Sequence, residues 1–166
     1  MEAKTMKVEL MVELRNVKYA KFASEETPCF EATVWIDGAK AGVVRNDGHG
    51  GADMHSPHGL RERLEAWAAT LPPWKSESDG EMNAHNCETA VGGLLDDYLL
   101  RKEMKRTLAS KVLFAQDGKL FALKPLSKGD MAAAIERAKA RYGAAQILNA
   151  LPEDAALALY KKLASA

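Results

Sequence analysis

Cys29-Phe30-Glu31-Ala32-Thr33-Val34-Trp35-Ile36 runs into Asp37-Gly38, and an apolar run resumes at Gly42-Val43-Val44. Aromatic and β-branched side chains fit the pleated surface of a strand. Asp-Gly suits the positive-φ positions of a tight turn. The stretch therefore predicts a β-hairpin. Upstream, over residues 7–19, Val8, Leu10, Val12 and Leu14 alternate with Glu9 and Glu13. Met11 joins the polar side, which suggests cover on both faces for part of the length. That alternation predicts another antiparallel strand, giving a three-stranded sheet over about residues 7–44.

Downstream the period changes. Leu60, Leu64, Trp67 and Ala68 follow helical spacing over 59–71, and Pro72-Pro73 ends the run. Residues 74–83 are polar and without period. A longer helix is expected to end near Ser110 and to begin either near Cys87 or Thr89, or after the weak point at Gly92-Gly93. Residues 111–123 repeat the hairpin pattern around Asp117-Gly118, and a helix over 131–142 is closed by Gly143. Ile147 and Leu148 suggest a short buried turn before a terminal helix opened by Pro152. The expected fold is α+β: an N-terminal antiparallel, hairpin-built sheet, central helices, a second hairpin and a helical C-terminus. It is read as one domain over 1–166, and a lobe boundary, if there is one, falls in 72–86. Trp35 and Trp67 are expected in the core, whereas Trp74 has no obvious burial.

Lys plus Arg equals Asp plus Glu at 23 each. General duplex-DNA binding needs a basic excess to neutralise phosphates, so it is not expected. A mimic of DNA would be strongly acidic, and that is absent too. Charge is nonetheless uneven, because the first half leans acidic and the segment from Arg101 to Lys128 is basic. Two cysteines, Cys29 and Cys87, are too few for a disulfide framework. Met1 to Lys7 lacks the apolar core of a signal peptide, and no apolar run is long enough to span a membrane. A cytoplasmic location without membrane association is expected, and homo-oligomer formation stays open.

The chemistry concentrates in 45–59. Arg45, Asn46, Asp47, Gly48, His49, Gly50, Gly51, His55 and His58 are the candidate ligand contacts. Glycines at 48, 50 and 51 could curl the backbone so that successive N–H groups form an anion nest, with Arg45 beside it and a helix start nearby. The spacing is neither a Walker loop nor a dinucleotide fingerprint. If the protein is an enzyme, His49, His55 and Asp47 would be its acid–base set. No cofactor is predicted; if a divalent metal binds, Asp47, His49, Asp53 and His55 are its ligands. Cys87 with His85 makes a poor nucleophile pair, because neighbours two apart on a helix do not face each other. The bland alternative is a turn at Asn46-Asp47-Gly48, with Gly50-Gly51 closing a bulge and the histidines capping a helix.

Phe30-Glu31-Ala32-Thr33-Val34, Asp37-Gly38 and Asn46-Asp47-Gly48-His49-Gly50-Gly51 resemble a group of small uncharacterised proteins of bacteriophages and mobile elements. The resemblance covers the first third of the chain and brings no established activity. It implies an accessory or anti-defence role in a bacterial host, exerted by binding a host protein or sequestering a nucleotide signal. The expected function is a non-catalytic binding protein that holds an anionic, nucleotide-like molecule or a host partner through 45–59. A phosphodiester-processing or metal-dependent hydrolase and a protein–protein inhibitor are the alternatives.

Overall fold

The computed structural model describes residues 10–76 and 78–164. Four antiparallel strands follow one another in chain order: β1 (Val12–Tyr19), β2 (Cys29–Ile36), β3 (Ala39–Asp47) and β4 (Met54–Ser56). Asp37 and Gly38 have φ of 49° and 78°, so both turn residues take the left-handed region that a twisted two-residue hairpin requires. The expected strand over 7–19 begins at Val12; Val8 and Glu9 lie outside the described residues. The expected three strands become four, because part of the Gly/His-rich segment pairs as β4 on Val43, Val44 and Arg45 of β3.

Alternation sorts the sheet. Val12 and Leu14 of β1, with Phe30, Ala32, Val34 and Ile36 of β2, are buried on one face. On β3 the positions opposite Val34, Ala32 and Phe30 are Gly42, Val44 and Asn46. All three are buried, and Arg45 and Asp47 between and beyond them are exposed. A polar side chain thus enters the covered face at Asn46. Trp35 departs from its expected core position. It sits out of phase with its buried neighbours, only partly covered, with the Arg15 guanidinium 4.1 Å from the ring centroid. Its indole nitrogen is buried with no acceptor among the described residues.

Helix α1 (Leu60–Ala68) presents Leu60, Leu64, Trp67 and Ala68 to the core, as its spacing predicts. Gly42 permits the close approach of the chain leading into it. A Cβ there would lie 2.1 Å from the Ser56 carbonyl oxygen and 2.8 Å from Leu60. The polar stretch 74–83 carries a small ribbon, β5 (Trp74–Lys75) against β6 (Met82–Asn83). Helix α2 (Cys87–Leu108) starts before its glycines because Asn86 and Thr89 cap each other reciprocally. Nothing lies within 4 Å of where a Cβ would sit at Gly92 or Gly93, so neither glycine serves close packing.

The chain divides into two compact units, the first ending at Asp96 and the second starting at Asp97, within α2. The second unit adds the hairpin β7 (Val112–Gln116) and β8 (Lys119–Leu123), helix α3 (Met131–Tyr142), two 3-10 turns and helix α4 (Glu153–Ala164). Ile147 and Leu148, at the 3-10 turns, are buried as expected. One cluster packs Met104, Leu113, Leu148, Leu157 and Tyr160, and another packs Val112, Phe114, Ala134, Ala138 and Ile147. Asn149 pins the end of α2 to β7: it donates to the carbonyls of Leu108 and Lys111 and accepts from the Leu113 N–H. Charge segregates with the division. The chain up to Asp96 holds 10 basic and 16 acidic residues, and the remainder holds 13 and 7. Among the described residues, no helix is long and apolar enough to cross a membrane.

Candidate functional site

Asn46 organises the Gly/His-rich segment. It is 6% exposed, and a buried amide must find partners for both its oxygen and its NH2 group. Its Oδ1 accepts from the Thr27 hydroxyl at 2.7 Å and from the Gly48 N–H at 2.9 Å. Its Nδ2 donates to the Gly51 carbonyl at 2.9 Å and to the Asp53 carboxylate at 3.0 Å. One side chain therefore ties 46–53 into a closed loop and fastens it to Thr27 in the β1–β2 connection.

The second loop returns the grip. The Gly48 carbonyl accepts from three consecutive N–H groups, those of Glu25, Glu26 and Thr27, at 3.0–3.3 Å. An N–H cradle does exist here, but it belongs to 25–27 and is filled by a carbonyl of the chain itself. The expected nest at 48–51 is committed internally at two of its positions, because Gly48 N–H bonds Asn46 and Gly50 N–H bonds Thr27 Oγ1 at 3.3 Å. Gly48 has φ of 88°, and a Cβ on it would lie 2.0 Å from the Ala23 carbonyl oxygen and 2.9 Å from Cys29 Cβ. The β1–β2 connection is itself braced. Ser24 Oγ donates to the Ala20 carbonyl and accepts from the Cys29 N–H, while Ala20 N–H bonds the Cys29 carbonyl.

The three histidines of the segment separate. His49 is exposed, with Nδ1 3.3 Å from the Glu25 carboxylate. His58 is exposed at the approach to α1. His55 is partly covered on β4, with Nε2 3.3 Å from Cys87 Sγ at the first residue of α2. Cys87 is fully buried, and its N–H donates to Glu65 of α1 at 2.9 Å. Burial, reinforced by the Glu65 carboxylate, pushes the thiol up to about 11. At neutral pH the sulfur is a thiol, and the thiolate is the nucleophilic form. The pair stitches β4 to α2. Native Cys87 should resist iodoacetamide and react once urea opens the fold. Rapid alkylation of Cys87 in the native protein would contradict this assignment.

Asp53 is half-buried, and burial raises its carboxyl above the usual range, against the pull of its Asn46 hydrogen bond. Asp47 is exposed and, with Arg45 and Asn46, lines a shallow pocket of about 270 Å³ beside Lys18, Tyr19 and Glu31. The hydrogen bond from Lys18 holds the Glu31 carboxyl below its usual range, and Arg45 adds to that effect. Two cations there face two carboxylates, which leaves no local field favouring an anion.

The structure therefore joins Asn46, Gly48, Gly51 and Asp53 into one network and places Arg45 and Asp47 on the opposite face of β3 from Asn46. The set Asp47, His49, Asp53 and His55 does not gather: among the described residues no three His, Cys, Asp or Glu side chains form a metal-holding group. Thr27, Glu25 and Cys87 are the partners that the sequence reading did not join to this segment. Cys87 and His55 are 32 positions apart, a separation without a local sequence signal. No protein-family model, curated protein or solved structure matches this chain.

Proposed function

We propose that the protein is a non-catalytic binding protein that engages a protein partner through the braced pair of loops in its first unit. The observation that carries this reading is Phe22. It lies on the 3-10 turn Lys21–Ala23, is 93% exposed, and belongs to the connection fastened to Gly48 and Asn46. A large aromatic on ordered backbone can enter a partner's pocket with little further ordering, and such anchors dominate interface energies. Tyr19 and Met54, on the strands leading into and out of the two loops, are each 39% exposed. The internal commitment of Gly48 and Gly50, with the balanced charges around Arg45, favours a protein over an anionic molecule at this face. The resemblance to phage and mobile-element proteins supplies the partner class: a cytoplasmic protein of a bacterial host, met in an accessory or anti-defence role. A hydrolase reading draws no support from a buried thiol and scattered histidines.

A photo-crosslinking residue at position 22, expressed in host cells, should capture one predominant host protein. With that purified partner, Phe22→Ser should weaken binding by about 2 kcal/mol or more, the scale of an interface hot spot. Its unfolding midpoint should match the parent, because the ring is exposed. Absence of a crosslinked partner, or unchanged affinity in the variant, would refute the reading.

A further inference from the structure

The second unit holds a groove that the loop chemistry does not involve. It has a volume of about 610 Å³, and its lining includes Lys111, Lys124, Lys128, Ser110, Ser127 and Met131, with no Asp or Glu. That volume falls in the roughly 300–1,000 Å³ range of small-molecule sites. The lysines come from two connections: Lys111 from the one between α2 and β7, Lys124 and Lys128 from the one between β8 and α3. The fold brings Lys111 to the other two.

Their electrostatic state separates them from the cations around them. Arg101 pairs with Glu153 and Asp154, Lys105 with Glu153, Arg137 with Asp130, Lys139 with Glu136, and Lys161 with Asp97. Asp130, the acid nearest the groove in sequence, is held below the usual carboxylate range by Arg137 and the Leu126 N–H. The acids of this unit are thus largely committed elsewhere. Among the described residues no carboxylate forms an ion pair with Lys111, Lys124 or Lys128. Three uncompensated ammonium groups around one concavity, in a unit with 13 basic and 7 acidic residues, raise the local concentration of anions.

We infer that this groove binds a phosphorylated small molecule of nucleotide size, its phosphates held by Lys111, Lys124 and Lys128. Lysine is a point-charge phosphate ligand. Ser127 adds a hydroxyl beside it, and the Met131 side chain offers an apolar wall for a base or sugar.

Isothermal titration of the full chain with ATP at low salt tests the assignment. One saturable site per chain is expected, weakened as salt is raised. The triple variant Lys111→Gln/Lys124→Gln/Lys128→Gln should bind about tenfold more weakly or worse, with an unchanged far-UV melting curve because Lys124 and Lys128 are exposed and Lys111 is only partly covered. The control variant Lys102→Gln/Lys119→Gln removes charge from the same unit outside the groove and should bind ATP as the parent does. Absence of saturable binding overturns the inference. So does an equal loss in the control, or tighter binding of an oligothymidylate than of ATP.

Discussion

Asn46→Ala is expected to destabilise the first unit by about 3 kcal/mol or more, the range reached when a buried hydrogen-bonding hub is removed. The truncation leaves the Thr27 hydroxyl, the Gly48 N–H, the Gly51 carbonyl and the Asp53 carboxylate without the partner each now has. It also opens a void on the covered face of the sheet opposite Phe30. All three tryptophans, Trp35, Trp67 and Trp74, lie before Asp96. Urea unfolding followed by tryptophan fluorescence therefore reports on this unit. Asn46→Asp adds a diagnostic. Its carboxylate can still accept from Thr27 and Gly48 but meets the Gly51 carbonyl and Asp53 where the NH2 group donated. Its stability should recover in part as pH falls and the carboxyl regains a donor. A loss below about 1 kcal/mol in the alanine variant, typical of a surface substitution, would show that Asn46 is not the hub.

The second large effect is expected at Gly48. Gly48→Ala forces a Cβ against the Ala23 carbonyl, a backbone atom that cannot swing aside, and keeps a non-glycine residue at φ of 88°. A loss of about 3 kcal/mol or more should follow, within the range for overpacking combined with backbone strain. The neighbouring glycines give a graded series. At Gly50 the nearest obstacle is the Glu26 carboxylate at 2.1 Å, the far end of a flexible side chain, so strain at φ of 85° dominates. That strain should cost about 1 kcal/mol. At Gly51 nothing lies within 4 Å, and Gly51→Ala should stay within about 0.5 kcal/mol of the parent. The same tryptophan-monitored unfolding ranks the three. Equal and small losses at 48, 50 and 51 would point back to an open, flexible loop.

The hairpins were readable because Asp-Gly between β-branched runs states both the turn and the flanking strands, and Asp117-Gly118 repeats the positive φ seen at Asp37-Gly38. The stripe of α1 was equally plain, since four apolar residues share one helical face. The start of α2 was written in Asn86 and Thr89, but a weak Gly92-Gly93 signal competed with it. Trp35 shows composition outweighing phase: Val34 and Ile36 fix the inward face, and the residue between them must turn outward. The same alternation from Gly42 and Val44 places Asn46 inward, away from Arg45 and Asp47. Strand β4 is three residues long, too short to show alternation. The joins of Thr27 to Asn46, Glu25 to His49 and Cys87 to His55 span 19 to 32 positions. Only the folded sheet brings those groups together.

Amide hydrogen exchange at Gly48, Gly50 and Glu25–Thr27 tests most directly whether the Gly/His-rich segment is a braced scaffold. In the free protein these amides should be protected to a similar degree as the flanking amides of β2 and β3, and adding ATP should leave their protection unchanged. Exchange at unprotected rates in the free protein, slowed only when ATP is added, would contradict the account and restore the segment as an anion cradle.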